Sequence, residues 1–106
     1  MPSSKIKGQP LSVQGLRQFV DRAVNRGFVR EAWHSETERA HRNISDDDVI
    51  FGLERKGWTL ARTPDYDADH GNWEYLIKTT DIEGEELHLK VAVYPEEGRL
   101  KVVTKF

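Results

Sequence analysis

From Asn72 to Phe106 the chain alternates apolar and polar residues, and this period restricts the fold more than any other feature. Trp73, Tyr75 and Ile77 alternate with Glu74, Leu76 and Lys78. Leu87, Leu89, Val91 and Val93 alternate with His88, Lys90, Ala92 and Tyr94. Leu100, Val102, Thr104 and Phe106 alternate with Lys101, Val103 and Lys105. A period of two in residues of this type predicts antiparallel strands with one buried face. Ile82-Glu83-Gly84 and Pro95-Glu96-Glu97-Gly98 have turn composition, so the expectation is a three-stranded meander.

Register extends the argument to function. Centring the second turn on Glu96-Glu97 sets Tyr94 opposite Arg99, Ala92 opposite Lys101 and His88 opposite Lys105. An odd-length first loop keeps Trp73, Tyr75 and Ile77 on the face of Leu89, Val91 and Val93. That face is apolar and needs helices to cover it. The other face carries Glu74, Lys78, His88, Lys90, Lys101 and Lys105, with Leu76, Ala92, Tyr94 and Val103 among them. Lysines are ordinary on a solvated sheet face, where they discourage edge pairing. A carboxylate, an imidazole and several lysines on one face of an acidic chain also suit an anionic ligand.

Upstream, Met1 to Pro10 is small, polar and basic, and is expected to be a disordered tail before a single domain over 11–106. Ser12 offers an N-cap to a helix running to Arg26, with Gly27 as its stop. Its polar face, with Arg17, Asp21, Arg22 and Arg26, reads as solvated. A second helix is predicted over about Arg30 to Arg42, with His34, Glu38 and Arg42 stacked at four-residue spacing. Ser45-Asp46-Asp47-Asp48 opens a third, running to about Arg55; its carboxylates favour the helix start and need no metal to explain them. Trp58 to Arg62 reads as a short strand. Asp65 to Gly71 has acids at alternate positions, as calcium loops do, but its glycine falls one position late and Leu76 stands where the closing Glu belongs. An acidic surface loop is expected there. The whole reads as α+β, with N-terminal helices packed on one face of a four-stranded antiparallel sheet.

Composition excludes several chemistries. The net charge of −2 does not advertise nucleic-acid binding, although residues 1–62 carry 11 basic and 8 acidic side chains and 63–106 carry 5 and 10. Without cysteine there is no disulfide framework and no thiolate metal site. No apolar run suits a signal peptide or a membrane span, so a cytoplasmic protein without membrane contact is expected. Phosphate-binding glycine loops, nucleophile elbows and zinc helices are missing, and no metal or cofactor is implied.

His34, followed by Arg42-Asn43-Ile44-Ser45-Asp46-Asp47-Asp48-Val49, resembles the signature of a bacterial domain family of unknown function related to the RelE/BrnT-like toxins. That signature places Arg four and eight residues beyond the His, then Gly-Ile and an acidic entry to a helix. Here Arg42 and Ile44 match, Glu38 stands in place of the first Arg, and Asn43 in place of the Gly. Asp69-His70-Gly71-Asn72-Trp73-Glu74, His88-Leu89-Lys90 and Lys105 are similar to stretches of the MqsR toxins in the same superfamily. The resemblance implies a RelE-like fold and a metal-independent endoribonuclease, an mRNA interferase of a toxin–antitoxin pair. It implies catalytic roles for Glu74, His88 and Lys105, and an antitoxin protein as partner. Lys78, Lys90, Lys101, Arg62, His34 and Arg42 are the candidate RNA contacts.

The chemistry can be stated without the family. Cleaving RNA through its own 2′-hydroxyl needs a base, a cation for the charge that builds on phosphate, and an acid for the leaving oxygen. Glu74 or His88 suits the base, His88 the acid when Glu74 is the base, and Lys105 or Lys90 the clamp. The competing expectation is a binding module that docks RNA or a protein without cutting, or a relative that keeps the fold without activity. Glu38 and Glu74 favour that alternative, because both add negative charge where phosphate would sit.

Overall fold

The computed structural model describes residues 8–31 and 44–106. Helix α1 (Val13–Arg26) begins where Ser12 caps it: the Ser12 hydroxyl accepts from the Gly15 N–H at 3.0 Å. It ends at Gly27, whose φ of 72° lets its N–H close the last turn. Leu16, Phe19, Val20 and Ala23 form its buried stripe. Helix α2 (Asp46–Glu54) starts with a capping box in which the Ser45 hydroxyl accepts from the Asp48 N–H, while the Asp48 carboxylate accepts from the Ser45 N–H. The other Asp48 oxygen accepts from the Ile82 N–H at 3.1 Å, tying the start of α2 to a distant turn. Helix-start electrostatics is thus only part of what Asp48 does.

Strands β1 (Val29–Glu31), β2 (Thr59–Leu60), β3 (Asp65–Asp67), β4 (Asn72–Thr80), β5 (Glu86–Tyr94) and β6 (Arg99–Lys105) form one sheet. The order is β1-β6-β5-β4-β2, with β3 also on β4. The long meander β4-β5-β6 is the predicted one. The fold is α+β, but the sheet has six strands rather than four, and β1 runs parallel to β6. Val29 and Arg30 lie opposite Leu100 and Lys101, so Arg30 belongs to a strand rather than to the expected second helix. The rest of that helix, with His34, Glu38 and Arg42, lies outside the described residues, as does most of the predicted tail. Among the described residues there are two helices. Asp65–Asp67, expected as loop, pairs with Asn72–Glu74, because a tight turn at Gly71 (φ 70°) folds the acidic segment back onto β4.

The register of β4 with β5 puts Tyr75 opposite Val91 and Ile77 opposite Leu89. Both pairs are buried beneath α1 and α2, together with Leu87, Val93, Leu100 and Val102. Trp58 is not a strand residue; it is buried under α1, where the Arg17 guanidinium lies 4.2 Å above its ring. Arg17 also donates to the Lys56 and Trp58 carbonyls at 2.8 and 3.0 Å. It is a strap across the helix-to-strand connection, not a solvated charge. Tyr75 is buried, and its hydroxyl accepts from the Leu11 N–H at 2.8 Å, which anchors the entry to α1. Burial pushes the Tyr75 phenol up from its usual value.

The approach of α2 to the sheet is set at Gly52. A Cβ there would meet Thr79 Cγ2 at 2.7 Å and the Thr80 carbonyl at 3.2 Å. Thr79 Oγ1 donates to the Gly52 carbonyl at 2.9 Å, which holds the two backbones together. Gly52→Ala should therefore lower the unfolding free energy read from a urea titration by about 1–3 kcal/mol for overpacking, although alanine is the better helix former. Leu89→Ala should cost about 2–5 kcal/mol in the same measurement. An unchanged midpoint for Leu89→Ala would place that side chain outside the core.

Candidate nucleic-acid interface

The face of the sheet opposite the helices is built by the polar positions of the meander. Cross-strand pairs bring Glu74 to Ala92, Leu76 to Lys90 and Lys78 to His88 between β4 and β5. Between β5 and β6, Ala92 meets Lys101 and Tyr94 meets Arg99, as the turn composition predicts. Arg30 on β1 extends the row beyond Lys101. Arg30, Lys78, Lys90 and Lys101 therefore stand on one outer face, with Leu76, Ala92 and Tyr94 between them.

The expected pairing of His88 with Lys105 does not occur. Lys90 lies opposite Thr104 and Val91 opposite Val102, so Val103 has no partner across the ladder. This β-bulge shifts the end of β6 by one residue and reverses the face of every side chain beyond it. Lys105 falls opposite Leu89, a core-face position. Phe106 takes its place beside His88: their backbones exchange hydrogen bonds of 2.7 and 3.0 Å, and their rings stack at 5.2 Å. Two adjacent valines, Val102-Val103, interrupt the apolar-polar alternation, and that was the one visible sign of the bulge.

Glu74 and His88 share the outer face but not a site. Glu74 is opposite Ala92, four residues from His88, so the two lie roughly 13 Å apart along the strands. Glu74 is 16% exposed and sits 3.5 Å from the Lys90 ammonium, which offsets its charge. Leaving Glu74 without Lys90 would strand a largely buried carboxylate. His88, 23% exposed, has its Nε2 3.4 Å from Glu86, with Lys78 across the ladder and Phe106 against its ring. The imidazole thus has a carboxylate and an aromatic ring beside it, from Glu86 and Phe106, with Lys78 at the facing position on β4. Arg62 stands at the edge of the sheet and pairs with Asp65 at 3.1 Å. No group of three metal-ligating side chains forms among the described residues.

Beyond the start of β4, Asp67 holds the turn that carries His70. Its carboxylate is 2.7 Å from His70 Nδ1 and accepts from the Asp69 N–H at 3.1 Å. The contact with His70 is the main reason its carboxyl lies below the usual value of 3.8, with burial opposing. A carboxyl depressed in the folded state contributes stability above its unfolded pKa and loses it as pH falls through the lower folded value. Asp67→Asn should accordingly flatten the acid limb of the unfolding profile below about pH 4 and leave stability at neutral pH little changed in its pH dependence. Amide exchange checks the bulge: His88 and Phe106 should be protected together, and protection at Val103 should be lower.

Comparison with known proteins finds no matching family model, no matching curated protein and no matching solved structure.

Proposed function

We propose that the outer sheet face binds RNA, with Arg30, Lys78, Lys90 and Lys101 along the phosphate backbone. The observation that carries this reading is the convergence of those cations on one face of a chain whose net charge is −2. A chain that is acidic overall gains nothing for solubility from concentrating lysine in one place, whereas a phosphate backbone requires it. Half-buried Leu76 and Tyr94 give bases an apolar surface between the charges. Binding without cleavage is favoured over the toxin chemistry for a geometric reason. A general base and acid must reach the same reacting group within about 3 Å, yet Glu74 and His88 stand far apart and Lys105 lies opposite a core residue.

A second reading has one observation behind it, the contact of His88 with Glu86 beside Lys78. In this arrangement His88 takes the 2′-hydroxyl proton, Glu86 orients the imidazole, and Lys78 meets the charge that builds on phosphate. The leaving 5′-oxygen takes its proton from water. The resemblance to RelE/BrnT-like toxins supports this version, which would also need an antitoxin protein to cover the same face.

Filter binding of a mixed RNA pool at increasing salt tests the first reading. Lys78→Ala and Lys101→Ala should each weaken binding and reduce the slope against log salt by about 0.7, the value for one single-strand phosphate. Binding that ignores both salt and these substitutions would overturn it. Incubating the same pool with protein and a chelator should leave the RNA intact. Cleavage that disappears in His88→Ala would replace binding alone with the second reading.

A further inference from the structure

The cations of the outer face lie on a diagonal. Arg30 on β1 is level with Lys101 on β6, and Lys101 is level with Ala92 on β5. Lys90 stands two residues from Ala92 along β5 and is level with Leu76 on β4; Lys78 stands two residues beyond Leu76. From Lys101 to Lys90 to Lys78 each move is therefore one strand across and one same-face position along, a step of roughly 8 Å. Arg30, Lys101 and Lys78 have no ion pair among the described residues. A line of this kind suits one phosphate backbone, but by itself it takes DNA as readily as RNA.

Beside that line stands one anion. Glu74 is level with Ala92 on one side and with Asp65 on the other. Asp65 is answered by Arg62 at 3.1 Å, whereas Glu74 has only the Lys90 ammonium, 3.5 Å from its Oε1. No N–H or O–H among the described residues donates to the Glu74 carboxylate in a hydrogen bond. Its side chain is mostly covered, yet neither oxygen is sealed from the surface. Glu74 thus has acceptor capacity to spare, next to a cation that a phosphate would claim.

That placement constrains the ligand. A phosphate drawn to Lys90 comes close to a second negative charge, and like charges repel strongly in a partly covered site. Leaving the carboxylate without a donor adds the penalty of an unsatisfied charged group. The bound strand must then supply the donor. The group joined to each phosphate is the sugar, and ribose carries a hydroxyl at C2′ where deoxyribose carries only hydrogen. Base N–H groups lie farther from the backbone line.

We propose, on the reading of this face as an RNA surface, that Glu74 accepts a hydrogen bond from a ribose 2′-hydroxyl next to the phosphate held by Lys90. Glu74 is then the residue that selects RNA over single-stranded DNA, by contact with the sugar and without any part in cleavage.

Filter binding at one fixed salt concentration tests this with a short oligouridine, its deoxy counterpart and its 2′-fluoro counterpart, which keeps a ribose-like pucker but has no donor. The wild type should bind the ribo form about tenfold tighter than either of the others, the low end for a charge-assisted hydrogen bond. Glu74→Met, which keeps the side-chain length without charge or acceptor, should remove the difference, chiefly by strengthening the binding of DNA. Lys101→Ala should weaken all three alike and leave their ratio unchanged. Equal binding of the three by the wild type, or a preference that persists in Glu74→Met, would overturn the role of Glu74 and leave the phosphate line standing. A Glu74-dependent preference for oligocytidine over oligouridine, with no preference between sugars, would move the contact to a base amino group and overturn the sugar assignment. If none of the oligonucleotides binds, the RNA reading of the face falls as well. The wild-type ratios need no variant, so a Glu74→Met protein that fails to fold does not shield the proposal.

Discussion

Everything in this fold depends on one sheet face being sealed from water. Tyr75, Ile77, Leu87, Leu89, Val91, Val93, Leu100 and Val102 present a continuous apolar surface, and α1 and α2 are the described elements that cover it. Burying each such side chain contributes on the order of 1.5–3 kcal/mol, so the helices are bound to the sheet far more tightly than either is stabilised alone. The seal demands close approach. Gly52 supplies it by letting the backbone of α2 reach Thr79 and Thr80, and Asp48 bonds the next turn of chain to the helix start. With one face fully committed, the other face has no structural duty and can carry charge.

That outer face shows how much a single unpaired residue can redistribute. Without the bulge at Val103, Lys105 would stand beside His88 and a histidine–lysine pair would occupy the corner. With it, Lys105 crosses to the register of Leu89, and Phe106 stacks on the imidazole. The chemistry of the corner changes from a second cation to an aromatic surface. Its cation then comes from β4, through Lys78, and its carboxylate from Glu86 on the same strand as His88.

Charge is separated along the sheet as well as across it. On the outer face Arg30, Lys101 and Lys90 stand on the successive strands β1, β6 and β5, and Lys90 already satisfies Glu74 on β4. The strand ends beyond Tyr94 gather carboxylates and aromatic rings instead. Tyr94 and Arg99 sit at the boundary, where the arginine is turned away from the basic field by Glu97. Two surfaces of opposite character thus adjoin on one small protein.

By itself the sequence determined the local structure wherever one short-range rule dominates. Ser12 and Gly27 delimit α1, Ser45 with Asp48 opens α2, and the alternation of Tyr75, Leu89 and Val91 separates a buried from an open face. The lysines of the outer face were legible for the same reason, since parity along a strand follows from the pleat. Tertiary structure alone decided the rest. Arg17 became a strap because Trp58 lies beneath α1, and β1 joined the sheet because β6 offered a free edge, neither of which local spacing encodes. Asp65–Asp67 became a strand only by folding onto β4. The grouping of Glu74, His88 and Lys105 required an unbroken ladder. One bulge and a four-residue offset separate them, because face depends on parity, whereas proximity depends on register across strands.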